Sequence, residues 1–432
     1  MSKRLKGLVK RHKRGEHVGV YSVCSANEQV IRASLKYAKE KGTFALIEST
    51  ANQVNQFGGY TGMRPHDFAG YVHALARECG LEKEQVLLGG DHLGPLAWVK
   101  EENETAMRYA SDLIRDYITA GYQKIHIDTS MRLAEDDKNA PLETDTIARR
   151  AALLFETAAK TLSEQDVKEE DWPCFVIGSE VPVPGGAQEE ELHVQVTKPL
   201  DLADTIKSFE RALKEKQLDG FWPHIIAVVV QPGVEFSDTS VRPYDKDEAA
   251  PLTNALKQYP GLVFEGHSTD YQPKGCLWDM VEDGICVLKV GPALTFAYRE
   301  ALFALDSIEM ELAHMHGRQP VALRQTLEKT MWEDPKYWKA YYHGSKEEQA
   351  FKLVFSLSDR LRYYLPYPVV NETINRLMDS LRNSDIPFSL LSQYLPIQAA
   401  KVRDGLMTDK PDALAQDYIS EWLAVYQHAI SE

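Results

Sequence analysis

The chain has 432 residues and a formal net charge of −15, an acidity that argues against nucleic-acid binding, which needs a basic surface. Its 44% hydrophobic and 26% charged content is that of an ordinary soluble protein with ample material for a large core. The five cysteines, at 24, 79, 174, 276 and 286, are odd in number and form no CxxC pair, which argues against a disulfide framework or zinc knuckle and predicts a cytoplasmic protein.

Residues 1–17 carry seven Lys and Arg with no apolar stretch behind them, so they are read as a solvated first helix rather than a signal peptide. No stretch approaches the roughly 18 apolar residues of a membrane span. The first apolar β-like run, G-V-Y-S-V-C, ends at Cys24, and residues 26–41 follow with Val30, Ile31, Leu35 and Ala38 at helical spacing. F-A-L-I-E ends at Glu48, with a helical pattern over 65–79. V-L-L-G-G-D-H ends at Asp91 and His92, and 104–119 is helical. K-I-H-I-D ends at Asp128, and 146–162 is helical. C-F-V-I-G-S-E ends at Glu180, I-I-A-V-V-V-Q at Gln231, L-V-F-E-G-H at His267, and I-C-V-L-K-V-G at Gly291, before a helix over 294–315.

Eight short apolar runs alternating with helices predict parallel strands joined by right-handed crossovers. An open doubly wound sheet is the alternative. Eight units favour closure, so the predicted fold is α/β, a (β/α)8 barrel over residues 1–315. Residues 316–432 contain no convincing strand and are predicted as a helical extension packed on the barrel, with a helix over 356–368 closed by prolines.

Polar residues at strand ends are where such a barrel builds its chemistry. Asp91 beside His92 suits a proton-transfer residue next to a metal ligand, or a hydrogen-bonded structural pair. The two glycines before them signal close approach by a ligand or another backbone. Asp128 shares a strand face with Lys124 and His126; it is read as catalytic or as a helix cap, and His126 as structural rather than a ligand. Glu180 is read as functional, opening a shaped E-V-P-V-P-G-G loop that could act as a lid. The Gln231 amide could bind a metal or a sugar hydroxyl. Glu265 and His267 share a face if the strand persists, and with His92 would suit zinc or another divalent cation. Gly266, Ser268, Thr269 and Gly291 flank the usual phosphate corner of a barrel, although small residues also serve tight turns. Glu48 opens a loop containing Asn52 and Gln53 that is rich in amides, hydroxyls and glycines, as a polyol substrate requires.

These residues lie in motifs of a known family. C-S-A-N (24–27), N-Q-V-N-Q-F-G-G-Y-T-G (52–62), G-G-D-H-L-G-P (89–95), E-V-P-V-P-G-G (180–186), V-V-Q-P-G-V-E-F (229–236), H-S-T-D-Y-Q (267–272), L-K-V-G-P-A-L-T-F-A (288–297) and S-D-R-L-R-Y-Y (358–364) resemble the Z-subunit family of tagatose-bisphosphate aldolase, the GatZ and KbaZ type. The resemblance covers nearly the whole chain. It implies a TIM barrel related to class II, metal-dependent aldolases, and a Z subunit that supports a separate catalytic Y subunit in galactitol and N-acetylgalactosamine catabolism. Similar chains act as carbon-4 epimerases linking fructose or its 6-phosphate with tagatose. The family's older label, a tagatose-6-phosphate kinase, finds no P-loop in this sequence.

The resemblance assigns Asp91, Asp128 and Glu180 to catalysis, with Asp91-His92 matching the Asp-His pair of class II aldolases. His92, His267, Gln231 and Glu265 become metal ligands, and Glu48, Asn52, Gln53, Ser268, Thr269, Gly291 and Arg360 bind substrate. Catalytic aldolases carry zinc histidines after strands six and seven. Gln231-Pro232, and Glu265 with a displaced His267, stand there in this chain, so its metal cage is expected to differ. The expected cofactor is a divalent metal, zinc first, with manganese, nickel or cobalt as alternatives. The expected ligand is a ketohexose or ketohexose phosphate, and an oligomer, with or without a Y subunit, is expected. A Z-type subunit, a metal-dependent epimerase and a non-catalytic stabilising partner remain the three readings.

Overall fold

The computed structural model describes residues 2–179 and 194–431. Each apolar run is a strand: β1 (Val20–Cys24), β2 (Ala45–Thr50), β3 (Val86–Leu93), β4 (Lys124–Ile127), β5 (Cys174–Ile177), β6 (Ile225–Val230), β7 (Val263–Gly266) and β8 (Ile285–Val290). All eight are parallel and pair in chain order, with β8 closing on β1 in the register Val20 opposite Val287. The expected eight-stranded barrel is the observed fold. One small antiparallel ladder, Glu235–Phe236 against Val241–Arg242, decorates the loop after β6.

Side chains alternate across each strand, and the alternation sorts the barrel into layers. Ala45, Ile47, Ile125, Ile127, Phe264 and Leu288 point outward into the large core shared with the surrounding helices. Leu46, Cys174, Val263 and Val287 fill the lower interior. One step further along β2, β7 and β8 come Glu48, Glu265 and Lys289, joined by Lys124 at the start of β4, all buried. The interior is therefore apolar at the bottom and ionic towards the carboxyl ends. The basic first helix, Ser2–Lys13, is more than a solvated element: Leu5, Leu8 and Val9 join the lower interior cluster and plug the barrel.

From Leu323 onward the chain is helical among the described residues, and the last helix, Pro411–Ile430, packs on helices Glu28–Glu40, Lys274–Glu282 and Pro292–Met315 and on β1. A helix predicted over 356–368 is not observed. Asp359 adopts the left-handed conformation at φ 46°, so only a short 3-10 turn, Arg360–Tyr363, forms there. Pro368, read as a helix stop, instead begins the helix Pro368–Arg382, where a missing N–H costs nothing. No helix among the described residues is long and apolar enough to cross a membrane.

The rim between β3 and β4 depends on one glycine. A Cβ on Gly94 would lie 1.7 Å from the carbonyl oxygen of Asp128. Gly94→Ala must push that backbone away, and overpacking of this kind costs about 1–3 kcal/mol or more. Denaturant unfolding should show a loss of that size, and an unchanged midpoint would mean the two loops move freely.

Candidate active site

In a regular strand, Asp91 and His92 would face opposite sides. They do not, because β3 carries one extra residue here: Gly90 pairs with Ile125 but Leu93 with Ile127. The bulge re-aims a side chain, as bulges beside active sites do. His92 accordingly takes a left-handed backbone, φ 48°, a strained conformation for a residue with a Cβ. Asp91 and His92 both line one cavity of about 470 Å³ at the carboxyl-terminal rim. The preceding glycines are explained by close packing: a Cβ on Gly89 would meet Glu48 at 2.5 Å, and one on Gly90 would meet Leu93 and Tyr117.

Below the cavity lies a buried ionic network. Lys124 Nζ bridges Glu48 at 2.7 Å and Glu265 at 2.6 Å. Lys289 Nζ bridges Glu48 at 2.5 Å and Asp91 at 2.6 Å. His126 Nδ1 donates to the same Asp91 oxygen at 2.9 Å. His92 Nδ1 donates to Asp128 Oδ2 at 2.8 Å, while Asp128 Oδ1 accepts from the Ser130 N–H and hydroxyl. Asp128 thus caps its own turn and orients the imidazole. His267 Nε2 donates to Glu265 Oε1 at 3.1 Å. The three imidazole rings converge, with centroids 4.9 to 5.3 Å apart.

These contacts decide the ionisation. Burial pushes the Asp91 carboxyl up, but His92 and Lys289 outweigh it and hold it well below the usual carboxylate range. Burial likewise opposes Glu265, and Lys124 and Lys289 hold it down. Burial lowers Lys289, yet Asp91 and its neighbours keep it firmly protonated. For His92 burial is overcome by Asp91 and by the hydrogen bond to Asp128, so its proton is held more tightly than usual. Burial wins at His267, pushed down to about 4 and neutral.

Four buried carboxylates (Glu48, Asp91, Asp128 and Glu265) face two lysines. With the His92 imidazole, whose proton is held tightly, counted beside the lysines, net negative charge still remains, and uncompensated buried negative charge favours a bound cation. Asp91, His126, Glu265 and His267 offer ligand atoms that all lie within 4.8 Å of one another. His126 Nε2 is buried without a hydrogen-bond partner. An orphaned imidazole nitrogen among carboxylates is what a metal ligand looks like before its ion. The donor set fits a divalent metal.

The predicted ligands are only partly brought together. Glu265 and His267 belong to the four-residue set, while His126, read from sequence as structural, replaces His92 in it. Gln231 stays outside: its Oε1 accepts from the Gly233 N–H at 2.9 Å, and it does not line the cavity. Of the expected substrate residues, Asn52, Gln53, Ser268, Gly291 and Arg360 line the cavity. Glu48 lies beneath it, tied to the lysines. Thr269 is buried, and its hydroxyl donates to the Lys289 carbonyl at 2.6 Å. Glu180 and its loop fall outside the described residues. Lys289 and Arg362, both on the cavity, were missed. A lysine inside the apolar run I-C-V-L-K-V was a readable signal for the first.

A family model described as D-tagatose-1,6-bisphosphate aldolase subunit GatZ/KbaZ-like matches residues 5–431. The D-tagatose-1,6-bisphosphate aldolase subunits GatZ of Salmonella dublin and of Salmonella gallinarum are each 42% identical over 423 residues, which is 98% of this chain and 98% of each relative. The crystal structure of a probable tagatose 6 phosphate kinase from Sinorhizobium meliloti 1021 superposes with a TM-score of 0.86 at 39% identity, covering 95% of this chain and 100% of that one.

Proposed function

The chain belongs to the GatZ/KbaZ-like family of D-tagatose-1,6-bisphosphate aldolase subunits, and from that premise we propose that it acts on ketohexose phosphates as a Z-type aldolase subunit with a working metal site. The observation that carries the reading is the Asp91, His126, Glu265 and His267 cluster under a cavity lined by Asn52, Gln53 and Ser268. A second reading, a metal-dependent carbon-4 epimerase, is favoured by the completeness of that cluster within one chain. A purely stabilising role fits poorly, because buried charge without a ligand is costly to keep. Five free thiols suit a cytoplasmic location. A Y-type subunit is the expected partner.

A divalent ion held by His126, Glu265 and His267, with Asp91 beside it, would supply Lewis acidity to polarise the ketose carbonyl. The protein's own groups do the rest. Asp91 is ionised at neutral pH and faces the cavity, so its carboxylate can accept the proton of the C4 hydroxyl as the C3–C4 bond breaks. The bond's electron pair passes to C3 and the adjoining carbonyl, giving an enediolate and an aldehyde. Returning the proton to O4 as the bond reforms on the other face of the aldehyde completes epimerisation; for aldol cleavage a proton is instead delivered to C3 of the enediolate, making up the one Asp91 took from O4, and the ketone and aldehyde fragments leave. Lys289, fixed against Asp91, offsets its charge, and Asp128 keeps His92 oriented and protonated on Nδ1.

The test is the purified chain, alone and with a Y-type subunit, on tagatose-1,6-bisphosphate, tagatose-6-phosphate and fructose-6-phosphate. Metal content is measured after purification without chelators. About one divalent ion per chain is expected, lowered in His126→Ala and in His267→Ala. Metal content unaffected by both variants, or no turnover and no stimulation under any metal, would overturn the reading.

A further inference from the structure

The phosphate corner of a (β/α)8 barrel is usually the N-terminus of the helix after β8, whose free N–H groups bind the anion. Here that place is taken. Asp270, buried, accepts from the Gly291 N–H at 3.0 Å and the Ala293 N–H at 2.8 Å. A carboxylate on those donors removes them and repels a second anion. The sequence pattern suggested a phosphate there; the structure assigns the donors elsewhere.

Positive charge reaches the same cavity from another quarter. The 3-10 turn of the C-terminal extension brings in Arg360 and Arg362, both lining residues. Arg360 is 7% exposed, its guanidinium carbon stacks 3.0 Å from the Tyr341 ring centroid, and its Nε is buried without a partner. Its side chain's recorded bond, at 3.1 Å, goes to the Tyr337 carbonyl. Arg362 donates to the carbonyls of Ser358 and Asp359 and to the Tyr363 hydroxyl. None of the ion pairs among the described residues involves either guanidinium; Asp359, which heads the turn, is paired with Arg299 and accepts from the Thr295 hydroxyl. Two cations whose hydrogen bonds go to neutral oxygens, with Asp359 and Asp270 acting on Arg362 only from beyond ion-pair distance, keep capacity for an anion. Guanidinium forks match phosphate oxygens in geometry as well as charge.

We propose that Arg360 and Arg362 form the anion subsite of this cavity, and that it takes the single terminal phosphate of a ketose monophosphate. The inference rests on the cavity being a sugar-phosphate site and narrows its substrate class. The other cationic chain on the cavity, Lys289, is committed to Glu48 and Asp91. Among the described residues lining the cavity, a second phosphate meets no uncommitted Lys or Arg.

The experiment is calorimetric binding to the full chain, with inorganic phosphate, fructose-6-phosphate, fructose-1,6-bisphosphate and free fructose as probes. Arg360→Met and Arg362→Met should each weaken fructose-6-phosphate binding about 10- to 100-fold, the range for losing a charged hydrogen bond, and leave free fructose within about twofold. The Arg362 side chain is less buried, so Arg362→Met carries the test if Arg360→Met misfolds by circular dichroism. The bisphosphate should bind no tighter than the monophosphate. Unchanged phosphate binding in Arg362→Met, a bisphosphate bound about tenfold tighter, or no phosphate binding at all would overturn the proposal. Arginine-dependent binding without turnover or stimulation would leave the subsite standing and sink the catalytic reading instead.

Discussion

Asp91→Asn is expected to lower turnover by roughly 100- to 10,000-fold, the usual contribution of a positioned acid/base group. The substitution keeps size and shape but removes the charge that accepts the hydroxyl proton. The fold should survive, because Lys289 retains Glu48 at 2.5 Å and His92 retains Asp128 at 2.8 Å. Metal content and thermal midpoint are therefore measured alongside turnover, or alongside stimulation of the Y-type subunit if the chain alone is inactive. A variant as active as wild type would show that the rim holds substrate without doing chemistry on it.

The second large effect concerns stability. Lys124→Met removes the ammonium that joins Glu48 to Glu265 in a layer where all three side chains are fully buried. Methionine fills most of the space and leaves two carboxylates with half their compensation. Breaking a buried ion pair from one side typically costs about 3–5 kcal/mol, and urea unfolding at pH 7 should show that loss. Acid should reduce it. Burial by itself raises both carboxyls, and Lys124 followed by Lys289 holds them below the ordinary value. In the wild type their contribution is present above the unfolded value, near ~4.3 for Glu, and is lost as pH falls through the lower folded values. In the variant burial gains ground, the carboxyls take up protons at higher pH, and the stability gap narrows between pH ~7 and pH ~4. A gap that stays constant over that window would mean lost packing, rather than charge, accounts for it.

The barrel was legible in the sequence because burial on both faces makes a strand a short unbroken apolar run, and the polar residue that ends each run marks the rim. Asp91, Glu265 and His267 could be placed in this way. Contacts across the barrel could not. Lys124 meets Glu265 and Lys289 meets Glu48 from strands far apart in the chain, and no local pattern records which strands face each other. The bulge at Asp91-His92 was invisible for a similar reason, since it exists only relative to the register of β4. His126 looked structural because the residues that would share a metal with it, Asp91, Glu265 and His267, come from β3 and from β7 and its end. Gln231 looked available because nothing in its run announces that the Gly233 N–H will take its amide oxygen. Arg362 was passed over although Arg360 in the same segment was named; that segment was read as a regular helix, and Asp359, left-handed and anchored on Thr295 and Arg299, makes it a turn instead.

The last helix bears on how the chain is made. Its final turn meets the start of the first strand: Gly19 N–H donates to the Ile430 carbonyl at 3.1 Å, and Val18 bridges Ser431. A ribosome delivers residues in order, at roughly 5–20 per second, so β1 waits first for β8 (Ile285–Val290) and then, longer, for this buttress (Pro411–Ile430). Until then a growing parallel sheet has open edges of the kind that pair with other chains. Nascent chains stalled between residues 290 and 411 should therefore be prominent clients of holding chaperones, although every strand of the barrel has by then been made.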